Sequence, residues 1–236
     1  MPSHRKISLV FGVLFLITFI TSIPALGLFQ PVLDDPEGYI AGGGSDSRIY
    51  LGALLELLLI IANIGTAVVV FPILRRQNEI LALGYVTARV LECVFLAVGI
   101  LAVLAVVRLR VDGAADAGDL AVSLAGLKDW TFLFGPGLTV PIGNGLILGY
   151  LMYRSGLVPR PMAMLGLIGG PLLFLAGVGV LFDVFEHNGT VQSLATIPEF
   201  LWELSLGIYC TVWGFRSSPI LSEEGRPALH PAAEAR

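Results

Sequence analysis

The chain has 236 residues, of which 56% are hydrophobic and only 14% are charged, with a net charge of −4. Its mean hydropathy is +0.84, and so few polar residues could not cover the apolar surface of a soluble domain. Composition therefore excludes a soluble protein and predicts an all-α, polytopic integral membrane protein. Cys93 and Cys210 lie in apolar stretches without metal-ligand spacing, so we interpret both as buried free thiols.

Six apolar stretches are long enough to cross about 30 Å of hydrocarbon at about 1.5 Å per helical residue. The first follows the basic run at 4–6, as in a signal peptide, but it is too long for one and lacks a clear cleavage site. We therefore expect it to be retained as a helix. The predicted spans are 7–28, 49–74, 80–107, 130–153, 162–185 and 197–215.

The connections complete a single six-helix domain over residues 1–216. Segment 30–48 contains Asp-Asp-Pro and Gly-Gly-Gly-Ser runs, and we predict a flexible loop without helix or strand. Segment 108–129 is acidic, with a short surface helix expected around 117–127. The polar, Pro-rich segment 217–236 is predicted to be a disordered cytoplasmic tail.

Basic residues predict the orientation, because they accumulate on the cytoplasmic side of a membrane. With both termini inside, four basic residues fall outside, namely Arg48, Arg108, Arg110 and Lys128. Nine fall inside, namely Arg5, Lys6, Arg75, Arg76, Arg154, Arg160, Arg216, Arg226 and Arg236. We therefore expect both termini in the cytoplasm.

Several polar side chains fall within the predicted spans, where an ionisable group costs about 2.5–3.5 kcal/mol on insertion scales. Arg89 and Glu92 are three residues apart and can form an ion pair along one helix. Glu199 follows Pro198 close to the outer boundary, so we interpret it as a solvated first-turn carboxylate. The candidate ligand or ion-binding residues are Glu56, Asn63, Arg89, Glu92, Asn144 and Glu203.

Counting along the helices suggests two polar layers. Glu56 and Glu203 fall about 10 Å from the outer boundary, and Asn63, Asn144 and Glu92 fall near about 20 Å. A structural network that holds the helices together fits these residues as well as a binding site does.

The fourth span contains two prolines and four glycines between 135 and 145, which should kink or interrupt a helix. Such a break can mark a substrate site. We favour the alternative that the glycines allow close helix packing.

The histidines His4, His187 and His230 all lie outside the predicted spans. This excludes a histidine-based metal site or a Ser–His dyad within the membrane. We expect no cofactor, no bound metal and no nucleic-acid partner.

Five short motifs resemble those of a bacterial integral membrane protein family, the one known as domain of unknown function 4386. The resemblance covers about residues 5–216 and implies a six-helix protein of the bacterial inner membrane, without known catalytic residues. The motifs are RVLE at 89–92, YRSGLVPR at 153–160, PEFLWE at 198–203, GIY at 207–209 and GF at 214–215.

Three functions fit these features. The leading one is a non-enzymatic membrane protein that binds or passes a small molecule or ion through its buried polar network. The second is an intramembrane enzyme using Glu56, Glu92 or Glu203 as acid or base, which we rank lower because no nucleophile is evident. The third is a structural or regulatory partner of another membrane protein.

Overall fold

A computed structural model describes residues 3–113, 116–187 and 189–222 of the chain. Within these residues every regular element is helical, as predicted. The α-helices are α1 Ser3–Leu33, α2 Pro36–Ile40, α3 Asp46–Leu74, α4 Glu79–Asp112, α5 Ala117–Phe132, α6 Gly149–Ser155, α7 Arg160–Leu181 and α8 Thr190–Val212. Two π-helical stretches, Leu133–Thr139 and Pro141–Leu148, connect α5 to α6, and a 3₁₀ turn covers Pro219–Leu221.

Five helices among the described residues are long and apolar enough to cross a membrane: His4–Leu33, Asp46–Leu74, Glu79–Asp112, Ala117–Ser155 and Arg160–Leu181. They correspond to the first five predicted spans. The sixth, 197–215, corresponds to α8, which has 23 residues. The mean hydropathy of α8 is lower than that of the other five helices because α8 carries Glu199 and Glu203.

The expectation of a loop without helix over 30–48 is wrong. α1 continues to Leu33, and α2 follows almost at once. The side chain of Asp35 accepts a hydrogen bond from the backbone N–H of Gly38 at 2.9 Å, which caps α2. Pro36 occupies the first turn, where its missing N–H costs nothing. The Asp-Asp-Pro run therefore begins a helix rather than a flexible loop.

The prolines and glycines of the fourth span interrupt its regular α-helix, as expected, but the chain does not leave the helical course. The short surface helix expected around 117–127 is instead the beginning of this long helix. The chain stays helical from Ala117 to Ser155, and the wider π-helical turns contain both prolines. A π-helical stretch accommodates residues that cannot complete the usual backbone ladder. A Cβ atom on Gly145 would lie 2.5 Å from the Cα of Gly170 on α7, so this glycine does permit close packing.

The arrangement of the bundle follows from contacts between distant segments. Arg5 of α1 donates hydrogen bonds to the carbonyls of Cys210 at 3.0 Å and Thr211 at 2.9 Å, near the end of α8. Further along, the rings of Phe19 and Phe200 are 5.1 Å apart, so α1 and α8 run antiparallel. α1 also packs along α3, α3 along α4, and α7 against α8 and the second π-helical stretch.

The beginning of the predicted disordered tail is ordered against the bundle. Ile220 and Leu221 pack on the hydrophobic core that includes Phe11 and Trp202. The hydroxyl of Ser218 donates to the carbonyl of Ser155 at 2.6 Å. The rest of the tail, from residue 223, lies outside the described residues.

Candidate functional site

A cavity of about 320 Å³ lies inside the bundle and is lined by residues of α1, α3, α4, α7 and α8, by the end of α5 and by the first π-helical stretch. Most of its wall is apolar, with side chains such as Leu59, Leu96 and Leu173. The polar side chains that line it are Thr18, Ser22, Glu56, Asn63, Arg89, Glu92, Thr196, Glu199 and Glu203. Five of the six candidate residues therefore meet around one space, and Asn144 adjoins it through Glu203.

Arg89, Glu92 and Asn63 form one closed network. Nη1 of Arg89 donates to Oε2 of Glu92 at 2.8 Å, which confirms the predicted pair along α4. Nη2 of Arg89 donates to Oδ1 of Asn63 on α3, and Nδ2 of Asn63 donates to Oε1 of Glu92 at 2.9 Å. All three side chains are buried. The network therefore neutralises its own charges and ties α3 to α4.

Lys128 was expected in an outer loop, and this is wrong. It lies on α5 with only 2% of its surface exposed. Its Nζ atom donates to both carboxylate oxygens of Glu56, at 2.6 and 2.7 Å. The ammonium also sits 5.0 Å from the ring centroid of Phe29. Sequence reasoning missed this partner because the two residues are 72 positions apart.

Asn144 and Glu203 are hydrogen-bonded to each other, from Nδ2 of the amide to a carboxylate oxygen. The prediction that Glu203 shares an outer layer with Glu56 is therefore wrong, because Glu203 is hydrogen-bonded to the amide of Asn144. The indole of Trp202 donates to the carbonyl of Asn144 at 3.0 Å. Asn144 is fully buried between two glycines. Gly143 lets Ala88 of α4 approach, and Gly145 lets Gly170 of α7 and Glu199 of α8 approach.

Glu199 is the largest departure from the sequence analysis. It was expected to be solvated in a first helical turn, but α8 begins nine residues earlier at Thr190 and only 2% of Glu199 is exposed. A Cβ atom on Gly169 of α7 would lie 2.6 Å from the backbone nitrogen of Glu199, so α7 covers it closely. Neither carboxylate oxygen has a hydrogen-bond partner within the described part of the chain. The spacing from Glu203 and the glycine-rich face of α7 were the signals in the sequence.

The charges around the cavity do not balance. Across the described residues, Lys128 neutralises Glu56 and Arg89 neutralises Glu92. Glu199 and Glu203 also line the cavity, and no salt bridge within those residues reaches either of them. Burying a carboxylate without a counter-charge costs several kcal/mol, on the order of 5, unless a proton or a cation neutralises it.

The exposed part of the cavity lining comes from two helices. Ile23 and Leu26 of α1 and Phe200 of α8 line the cavity and are also exposed at the surface of the bundle. Towards the N-terminus of α1, the two helices are in contact through Gly12 and Thr211 and through the rings of Phe19 and Phe200. From these exposed lining residues we infer that the cavity opens sideways between α1 and α8, on an apolar flank of the bundle.

Several long apolar helices around a polar interior indicate a multi-pass membrane protein. The chain belongs to the family described as Domain of unknown function (DUF4386), whose model matches residues 10–214. This confirms the family resemblance. Neither the comparison with curated proteins nor the comparison with solved structures finds a match.

Proposed function

We propose that this chain is a six-span protein of the bacterial cytoplasmic membrane that binds a small molecule or ion in its interior cavity. Both termini lie in the cytoplasm, as the distribution of basic residues favours. α8 serves as the sixth span, since its 23 residues reach about 34 Å. Its two glutamates line the cavity rather than the outer surface, so their polarity does not oppose insertion.

The observation that carries this proposal is Glu199. A buried carboxylate with both oxygens unpaired, within the described residues, is costly in a structure that exists only to pack helices. The same carboxylate borders a cavity large enough for a small ligand. A ligand or proton that neutralises Glu199 would explain both features.

The candidate residues then divide by role. Glu203 and its partner Asn144 lie beside Glu199, and this group forms the ligand-binding end of the cavity. Arg89, Glu92 and Asn63 bond to one another, and Glu56 bonds to Lys128. These four candidate residues hold the helices around the cavity in place.

Thiol labelling tests whether a small neutral reagent reaches the cavity. Thr18 lines the cavity and is 7% exposed, whereas Thr66 lies in the packed interior and is 0% exposed. The thiolate form of a cysteine attacks methyl methanethiosulfonate, a small neutral reagent, to form a methyl disulfide and release methanesulfinate. Formation of the thiolate requires a wet site. We expect Thr18→Cys to react much faster than Thr66→Cys, as measured by mass spectrometry in detergent. Equal protection of both thiols would contradict the proposal.

A second labelling experiment tests the six-span topology. Glu186 precedes α8 and Ser217 follows it, and both lie outside its helical residues. With an impermeant maleimide on intact cells, Glu186→Cys should be labelled and Ser217→Cys should be labelled only after the cells are opened. Labelling of both in intact cells would show that α8 does not cross.

A further inference from the structure

We propose that the ligand of this cavity is an amphipathic organic cation, a hydrocarbon body with one protonated amine, and that its ammonium binds at Glu199 and Glu203. This inference rests on the proposed function and specifies the class of ligand. Four features of the site support it: charge, wall chemistry, size and the direction of its opening.

The charge of the site favours a cation. Within the described residues, two cationic side chains are already paired with Glu56 and Glu92, which leaves Glu199 and Glu203 one helical turn apart without a positive partner. Both oxygens of Glu199 lack hydrogen-bond partners in that part of the chain. An ammonium carries three donors and a full positive charge, so one group could satisfy both requirements.

The wall favours an organic cation over a metal ion. Ca²⁺ needs about six to eight oxygen ligands and Mg²⁺ about six, and the described residues contain no cluster of His, Cys, Asp or Glu that could hold a metal. Beside the two glutamates the lining includes the aromatic rings of Phe19, Phe132 and Phe200. Aromatic faces attract organic ammonium groups, and the apolar wall would bury a hydrocarbon body.

The size and the opening favour an amphipathic molecule. A volume of about 320 Å³ lies at the lower end of the range of small-molecule sites, about 300–1,000 Å³. The opening lies between α1 and α8, where the exposed lining residues Ile23, Leu26 and Phe200 are apolar. A molecule dissolved in the bilayer could enter there with its amine directed inward.

Three probes with the same phenylbutyl body test the inference: phenylbutylamine, phenylbutanol and phenylvalerate. A ligand that binds the folded protein raises its thermal midpoint with concentration. We expect the amine to stabilise the full-length protein in detergent and the alcohol and carboxylate to do so weakly or not at all. Glu199→Gln should weaken the apparent affinity for the amine by about tenfold or more, as expected for losing a charged hydrogen-bond partner.

Glu186→Gln is the matched control, because it removes the same charge from an exposed residue outside the cavity. It should bind the amine as the parent protein does.

Equal stabilisation by all three probes, or an unchanged affinity in Glu199→Gln, would overturn the cation assignment while leaving a ligand cavity in place. If Glu199→Gln does not fold, the ranking of the three probes on the parent protein decides. No stabilisation by the amine, with Thr18→Cys still reactive, also overturns the assignment. Protection of Thr18→Cys would instead refute the cavity itself.

Discussion

Replacement of Lys128 by methionine should destabilise the protein severely, because it leaves Glu56 as a buried charge. Both oxygens of Glu56 accept hydrogen bonds from Nζ of Lys128, at 2.6 and 2.7 Å, and both side chains are almost fully buried. Removing one member of such a pair costs about 3–5 kcal/mol. For a chain of this size about 1 kcal/mol shifts the thermal midpoint by about 2–4 °C, so Lys128→Met should lower it by roughly 6–20 °C.

The assay is thermal unfolding in one detergent, arranged as a double-mutant cycle. The double variant Glu56→Met, Lys128→Met should recover most of the loss, because an apolar pair of similar volume often replaces a buried ion pair without penalty. Arg108→Met provides the control, since it breaks the exposed pair between Arg108 and Asp112 at 2.9 Å, a contact worth about 0–1 kcal/mol. Additive losses in the cycle, or a loss from Lys128→Met no larger than that of the control, would refute the reasoning.

Three more variants test other parts of the bundle. Gly145→Ala should destabilise by about 1–3 kcal/mol in thermal unfolding, because its Cβ would lie 2.5 Å from a backbone Cα atom of α7, whereas Gly27→Ala, which has open space, should be neutral or better. Glu92→Gln should cost about 3–5 kcal/mol by leaving Arg89 buried without its carboxylate, and little change would show that the network does not support the fold. Burial raises the pKa of Tyr39, in the connection between α1 and α3, to about 12. Since an unfolded tyrosine has a pKa of about 10, the folded state keeps this proton longer, and stability should fall as pH rises from about 10 to about 12. Tyr39→Phe should flatten that decline, and an unchanged slope would contradict the assignment.

The positions of the helices could be predicted from the sequence because the length of an apolar stretch is a local property of the chain. The second span was predicted to end at Leu74, where α3 ends, and the start of the third at 80 falls one residue inside α4. The pair between Arg89 and Glu92 was predictable for the same reason, since three residues along one helix determine its geometry.

The contacts between side chains of different helices could not be predicted, because they depend on how the helices are arranged in the bundle. Lys128 lies in a polar-looking segment, and its burial is decided by Glu56, a residue from another helix. Pro198 has the pattern of a helix start, which places Glu199 in a solvated first turn, whereas α8 begins at Thr190 and continues through this proline. Depth counted along separate helices likewise failed for Glu203, whose partner Asn144 belongs to a segment with π-helical turns.

The sideways opening between α1 and α8 has a consequence for how affinity must be expressed. A molecule that enters from the hydrocarbon meets the site at its concentration in the lipid, which for an amphipath greatly exceeds its concentration in water. The total concentration needed for half-saturation should therefore depend on the partition coefficient of the compound and on the amount of lipid present. Consider two amines with equal affinity for the carboxylates. In a titration against aqueous concentration, the more hydrophobic amine would have the higher apparent affinity. The difference would disappear when binding is plotted against the mole fraction of amine in the lipid.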